Sequence, residues 1–145
     1  GNDVGRKLLI LARELDLQNE FEEITIQNLI PEHLREGSVS EFLIKLKEFD
    51  PIYAKIKAEQ KTNHVLRYIG ELSGDLQHDK GALEVKLVSV PSDTALGGLK
   101  GSDSFFEIYT ESYGDRPIVI QGAGAGSAVT ARGVFGDILR LSDKG

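Results

Sequence analysis

Residues 65–72 read VLRYIGEL, and residues 82–90 read ALEVKLVSV. Apolar and polar side chains alternate in both stretches, which is the period-2 pattern of β-strands with one buried face. The polar segment Ser73 to Gly81 joins them, so the two stretches are predicted to form a hairpin. This hairpin decides the fold, because it separates a mainly helical part of the chain from a part rich in strands. Apolar residues before it recur mostly at helical spacing, and those after it recur mostly at strand spacing.

The residues before the hairpin are predicted to be mainly helical. Over 3–15, apolar residues recur every three or four positions, and Asp3 is a good N-cap candidate. A short strand (23–27), a turn or short helix (31–35), a helix capped by Ser38 or Ser40, and a helix over 51–61 follow. We expect a boundary at Asp50-Pro51, because the residue before a proline disfavours the helical conformation.

After the hairpin, the chain is predicted to be loop (91–104), two strands (105–110 and 117–121) and a final helix (127–141). We expect the strand over 105–110 to share a sheet with the hairpin. Helices followed by mostly sequential strands favour an α+β fold over alternating βαβ units. The predicted architecture is a mixed, largely antiparallel β-sheet with helices on one face.

Composition restricts the classes of function. The 145 residues carry 23 acidic and 17 basic side chains, a formal net charge of −6, and no cysteine. These values fit a soluble globular domain, exclude disulfide scaffolds and thiolate chemistry, and argue against a nucleic-acid partner. The longest uncharged apolar run, residues 8–12, is far shorter than the about 20 residues that a spanning helix needs.

A glycine-rich turn separates the last predicted strand from the last predicted helix. Residues 117–127 read PIVIQGAGAGS, the strand, turn and helix order in which glycines let backbone amides approach a phosphate. A G-x-G-x-x-G pattern from Gly122 fails at Ser127, and one from Gly124 fails at Val129. These residues therefore form either a tight structural turn or one part of a nucleotide site whose remainder lies elsewhere in the protein.

Asp3 and Lys7 are spaced i, i+4 on the opening helix and project from one face. The ordinary interpretation is a surface ion pair. The chemical alternative is a lysine that donates or accepts a proton, its pKa lowered by desolvation and raised by the neighbouring carboxylate. The three histidines, His33, His64 and His78, lack metal-ligand spacing, so we predict no metal site.

Several blocks together resemble homoserine dehydrogenase, particularly the form fused behind aspartokinase. The opening block GNDVGRKLLILAR is similar to the signature helix of that family, D-V-x-R-K. The other similar blocks are residues 65–70, 99–103, 117–131, 133–134 and 137–140. Gly5 and Arg132 stand where the family often has alanine, and Gly5 should weaken its helix by roughly 0.5–1 kcal/mol relative to alanine.

The resemblance implies a fragment, residues 1–145 being the catalytic and dimerisation domain of a larger enzyme; the chain contains no methionine. A Rossmann domain absent from this chain would precede it, and about 117–141 would return to pack on that domain. Lys7 would be the catalytic acid and base, and Asp3 would bind the substrate. Gly126 and Thr130 would contact the NADP (or NAD) cofactor, which the Rossmann domain would mainly bind.

The implied reaction is the NAD(P)-dependent, reversible reduction of L-aspartate 4-semialdehyde to L-homoserine, in threonine and methionine biosynthesis. We expect a cytoplasmic homodimer that binds this small-molecule substrate, with no nucleic-acid or membrane partner. The alternative from a different class is a non-catalytic regulatory or oligomerisation module that binds a small ligand, because fold alone does not settle function.

Overall fold

A computed structural model describes residues 1–143, which form two compact units that divide between Pro91 and Ser92. The first unit holds the helices and the hairpin, and the second holds the remaining strands and the last helix. Whether residues 1–145 act together as one catalytic and dimerisation domain of a larger enzyme stays a prediction.

The first unit contains three α-helices, α1 (Asn2–Glu14), α2 (Val39–Lys45) and α3 (Asp50–Ala58). The prediction that Asp3 caps α1 is wrong, because the helix begins at Asn2 and Gly1 is the capping residue. Asp3 lies in the first turn, where its negative charge is favourable near the helix N-terminus and its carboxylate pairs with Lys7.

Helix α2 begins with a reciprocal cap, and Ser38, not Ser40, provides it. The backbone N–H of Glu41 donates to Ser38 Oγ at 3.3 Å, and the backbone N–H of Ser38 donates to the Glu41 carboxylate at 2.7 Å. The hydrogen bonds from Ser38 hold the pKa of Glu41 below its usual value. The sequence pattern S-x-x-E thus fixes where this helix starts.

Helix α3 begins at Asp50, one residue before its predicted start at Pro51, so the prediction that Asp50 is not helical is wrong. A 3-10 turn over Leu46–Phe49 runs directly into α3, and Asp50 is helical. Phe49 is buried, with its ring edge-on to Phe42 and stacked on Tyr53, so aromatic packing holds the two segments together. The proline lies in the first turn of α3, where no partner for its missing N–H is needed.

The first unit has a three-stranded sheet in the order β1-β3-β2. Strands β2 (His64–Asp75) and β3 (Lys80–Pro91) pair antiparallel along their whole lengths, so the predicted hairpin is confirmed and is longer than predicted. The two-residue strand β1 (Thr25–Ile26) pairs with β3 in parallel, through Thr25 beside Glu84 and Ile26 beside Val85.

The core of the first unit lies between α1 and one face of this sheet. Its buried side chains come from α1, the segment that follows it, and β3: Leu8, Ala12, Leu17, Ile24, Leu83 and Val85. Gly70 of β2 lets the helix approach closely, because a Cβ there would lie 3.1 Å from Val4 Cγ1. The position of α1 is therefore set by direct packing on the sheet.

The second unit contains β4 (Asp103–Ile108), β5 (Ile118–Ala123) and α4 (Ser127–Ser142). β4 and β5 pair antiparallel in a two-stranded sheet, so the expectation that 105–110 joins the hairpin's sheet is wrong. The nearest strand along the chain supplies the partner of β4 instead. The α+β class with mixed and antiparallel sheets is confirmed. Within residues 1–143, no helix is both long and apolar enough to cross a bilayer.

Candidate active site

Asp3 and Lys7 form an ion pair on the exposed side of α1. Lys7 Nζ lies 2.9 Å from an Asp3 carboxylate oxygen, and the two side chains are 72% and 79% exposed, respectively. The hydrogen bond and charge of Lys7 hold the pKa of Asp3 below its usual value. Within the first unit, this is the geometry of a solvated ion pair that presents an ammonium and a carboxylate side by side.

Helix α1 is fixed at its far end by Arg13. Its guanidinium donates to the Leu17 carbonyl at 2.7 Å and to the Glu20 carboxylate at 2.7 Å. Leu8 and Ala12 are buried against the sheet on the opposite side from the ion pair. The helix therefore holds Asp3 and Lys7 on a backbone that is packed along its length.

The glycines of the turn between β5 and α4 have different roles. A Cβ on Gly124 would overlap the side chain of Ser104, so this glycine is needed for close packing on β4. Gly126 has φ +121° and ψ 151°, a conformation that favours glycine, and a Cβ there would meet nothing within 4 Å. Gly124 is therefore required by the tight turn itself, whereas the space next to Gly126 is open to a ligand.

Thr130 is hydrogen-bonded within the first turn of α4. Both its backbone N–H and its hydroxyl donate to the Gly126 carbonyl, each at 3.1 Å. The hydroxyl therefore fixes the helix start. Gly126 itself carries no side-chain cap, so the N-terminus of this 16-residue helix presents backbone N–H groups next to open space.

These features fit an anionic group such as a phosphate. A glycine with no Cβ, at the N-terminus of a long helix, lets a phosphate oxygen approach backbone N–H groups, and the helix dipole favours the negative charge. The residues that would hold it here are Gly126 and the first turn of α4.

Sequence reasoning missed Ser102, which holds this turn. The Gly124 N–H donates to the Ser102 carbonyl at 3.3 Å, and Ser102 Oγ donates to the Ala125 carbonyl at 3.4 Å. The available signal is the block LKGSD over 99–103, which contains Ser102 and precedes the turn by about 20 residues. The structure thus brings Asp3 to Lys7 in one unit and Gly126 to Thr130 in the other.

A cavity of about 510 Å³ lies elsewhere in the first unit. Gln27, Ile56, Gln60, His64, Leu66 and Leu87 are among its lining residues, and no predicted site residue is. Its lining is exposed or half-buried, and no group of three or more potential metal ligands is found among the described residues. Geometry and the family motif, not cavity size, identify the candidate active site.

Comparison with known proteins gives a consistent answer. The family model described as homoserine dehydrogenase matches residues 1–139. Bifunctional aspartokinase/homoserine dehydrogenase 1 of Arabidopsis thaliana is 40% identical over 144 residues, covering 98% of this chain and 15% of that protein. Homoserine dehydrogenase of Emericella nidulans is 40% identical over 152 residues, covering 99% of this chain and 40% of that protein.

A solved structure of a Candida auris protein of unknown function matches with a TM-score of 0.75 and 36% identity, covering 99% of this chain and 39% of that chain. The α+β fold and the family match over residues 1–139 define the class as an α+β domain of a dehydrogenase family. The chain belongs to the homoserine dehydrogenase family. It spans less than half the length of each of these relatives.

Proposed function

We propose that this chain is the substrate-binding and dimerisation part of a cytoplasmic homoserine dehydrogenase. The complete enzyme would catalyse the reversible, NAD(P)-dependent reduction of L-aspartate 4-semialdehyde to L-homoserine, in threonine and methionine biosynthesis. The observation that carries the proposal is the Asp3–Lys7 pair at 2.9 Å, on the signature helix of a chain whose residues 1–139 match this family.

Lys7 is the proton donor in this proposal. Its ammonium lies on an exposed face of α1, where a substrate carbonyl oxygen is able to approach it. In reduction, Lys7 gives a proton to the oxygen as negative charge develops on it; in oxidation, the neutral amine takes the hydroxyl proton. A bound nicotinamide cofactor would supply or accept the hydride.

Asp3 has the complementary role of holding the substrate. Its carboxylate stays ionised at neutral pH, because the neighbouring ammonium lowers its pKa. A carboxylate in this position attracts the ammonium group of the amino-acid substrate. Fixing the substrate beside Lys7 makes the proton transfer effectively intramolecular.

The cofactor would be bound mainly by a nucleotide-binding domain of the complete enzyme. Residues 117–141 would return to that domain, and the Gly126 backbone would contribute to binding of the cofactor phosphates. Thr130 would support this site through its hydrogen bond to the Gly126 carbonyl.

The deciding experiment measures homoserine-dependent reduction of NADP⁺ and NAD⁺ by the full-length enzyme and by its Lys7→Ala variant. Loss of the proton donor should lower kcat by about 10²- to 10⁴-fold, because general acid–base catalysis typically contributes that much. Lys55→Ala is the matched control, since Lys55 also forms an exposed i, i+4 ion pair, with Glu59 at 3.8 Å. Circular dichroism verifies that each variant folds.

A folded Lys7→Ala enzyme that keeps more than about a third of the wild-type kcat would remove Lys7 from the mechanism. A folded wild-type enzyme that turns over neither homoserine nor aspartate semialdehyde would instead favour the regulatory or oligomerisation module.

A further inference from the structure

Ile26 of β1 packs against the back of helix α1 at Gly5. A Cβ built on Gly5 would lie 3.1 Å from Ile26 Cδ1 and 3.3 Å from Phe21 Cε2. Both distances are shorter than ordinary van der Waals contacts, which begin near 3.4 Å. Gly5 is buried, so the two neighbouring side chains already fill the space that a methyl group would need.

Gly5 lies directly behind the ion pair. With about 100° between successive residues, Gly5 is about 200° around the helix from both Asp3 and Lys7. A group inserted between Gly5 and the sheet would therefore push α1 in the direction in which Asp3 and Lys7 project.

The backbone that carries Ile26 is held firmly. Ile26 pairs with Val85, and the next residue, Gln27, donates its N–H to the Val85 carbonyl at 2.8 Å. The Gln27 side-chain oxygen accepts from the Leu87 N–H at 2.7 Å, and the Gln27 backbone carbonyl accepts from the Tyr68 hydroxyl at 2.8 Å. Crowding at Gly5 would thus displace α1 more readily than β1.

We propose that Gly5 and Ile26 are a size-matched pair that sets the position of α1, and through it the positions of Asp3 and Lys7 relative to the substrate. The proposal rests on the function proposed above. Ile26 is a positioning residue, because it packs on the helix from the side opposite the ion pair. The pair also explains why glycine at position 5 need not be a defect, although alanine has the higher helix propensity.

The test is a double-mutant cycle in the full-length enzyme with Gly5→Ala, Ile26→Val and both changes together. The methyl group of Gly5→Ala should displace α1 by about half an ångström and lower kcat about 10-fold, because misplacement of 1 Å costs up to about 10²-fold. The KM for the dinucleotide should stay unchanged. Ile26→Val removes Cδ1, the atom closest to the new methyl group, so the double variant should recover kcat to within about 2-fold of Ile26→Val alone.

Leu34→Val is the control for general loss of stability, since Leu34 is buried but lies outside the core cluster of α1. It should lower the melting temperature without changing kcat. Wild-type kcat in folded Gly5→Ala, or loss of kcat that Ile26→Val does not restore, would overturn the proposal. If Gly5→Ala fails to fold, a folded and active double variant supports the pair, and an unfolded double variant overturns it.

Failure of the proposed function is recognised separately, by a folded wild-type enzyme without homoserine turnover. Crystal structures then decide the positioning proposal. Gly5→Ala should move the Cα atoms of Asp3 and Lys7 by about half an ångström, and the double variant should return them, because the methyl must regain ordinary contact distance. Unmoved atoms in Gly5→Ala would overturn it.

Discussion

The Asp3 carboxylate combines exposure with a lowered pKa. The hydrogen bond and charge of Lys7 favour its ionised form, while water surrounds most of its surface. A carboxyl whose pKa is lower in the folded than in the unfolded protein stabilises the fold fully at pH values above its unfolded pKa. This stabilisation is lost as the pH falls through the folded pKa. Substrate binding through Asp3 should be lost in the same acidic range.

Asp3→Asn should mainly weaken substrate capture. The amide keeps the shape of the carboxylate but loses the charge that attracts the ammonium group of homoserine in ground and transition states alike. We expect the KM for homoserine to rise about 10- to 100-fold with a smaller change in kcat, because hydrogen bonds to charged groups are the strong ones. Steady-state kinetics measures this. A fall in kcat at unchanged KM would instead place Asp3 in the chemical step.

The ion pair could be predicted from the sequence because Asp3 and Lys7 are neighbours on one helix, and helical spacing alone brings them together. The contacts of Gly5 with Ile26, and of Gly124 with Ser104, could not be predicted in this way. Each joins residues about 20 positions apart, and only the packing of a helix on a strand, or of a turn on a strand, brings them within reach. A glycine in a sequence does not reveal which residue packs so closely against it that a larger side chain would not fit.

At the scale of elements, period-2 alternation predicted β2 and β3 well, because one face of the hairpin packs on α1. The short strand predicted over 23–27 is confirmed by β1, although only Thr25 and Ile26 pair with β3. Asp50 became helical against the preference imposed by Pro51, because the buried ring of Phe49 packs with Phe42 and Tyr53. Tertiary packing overrode local preference at Asp50.

The start of α4 provides a prediction at this scale. Gly126→Ala places a side chain in a conformation that glycine favours, and the added methyl would project into open space where the cofactor phosphates are proposed to lie. We expect the KM for NADP⁺ to rise at least about 10-fold, because close approach to the helix N–H groups is lost. Kinetics with saturating homoserine measures this change.

Gly114→Ala is the matched control for Gly126→Ala. Gly114 also has a positive φ, +57°, with nothing within 4 Å of a built Cβ, and no part of the proposed site includes it. It should lower stability by about 1 kcal/mol through backbone strain and leave the KM for NADP⁺ unchanged. Equal KM values for the two variants would remove Gly126 from the cofactor site.

At the scale of the whole molecule, composition indicated a globular domain but did not reveal the division at Pro91. β3 ends there, and β4 pairs with the strand that follows it along the chain, so the second sheet forms from local partners. Alternation identifies a strand but does not identify its neighbour. This is why the strand over 105–110 was predicted correctly while its sheet was not.

The 145-residue chain on its own should lack dehydrogenase activity. Its proposed cofactor contribution is one helix N-terminus, and its described residues contain no strand after α4 that would complete a βαβ nucleotide-binding unit. We expect no NADPH-dependent reduction of aspartate semialdehyde by the folded, purified chain, with circular dichroism as the check on folding. Measurable turnover would show that these residues bind the cofactor unaided.

The sheet of the first unit presents a surface through which a homodimer would form. β2 is an edge strand of 12 residues, and β2 and β3 have a second face opposite α1. The half-buried Ile69 lies on that face, beside Lys86. Lys86 lies 2.9 Å from the Glu71 carboxylate and 2.6 Å from that of Glu84, so its charge is compensated locally. A second copy of this sheet is a suitable partner for such a surface.

We expect the full-length enzyme to sediment as a dimer, and Ile69→Lys to shift it toward monomer, because an unpaired ammonium would be buried between the two sheets. Ile69→Val is the matched control, since it keeps the apolar surface and should remain dimeric. Hydrogen bonds from Lys86 to Glu84 and Glu71 raise the pKa of Lys86 in the folded protein. The contribution of Lys86 to folding stability is therefore complete below its unfolded pKa, and it is lost only as the pH rises through its folded pKa. The ion pairs of Lys86 should therefore stabilise this sheet face through neutral pH. Sedimentation velocity that finds the wild-type enzyme monomeric at high protein concentration would refute the dimer, and a dimeric Ile69→Lys variant would place the interface elsewhere.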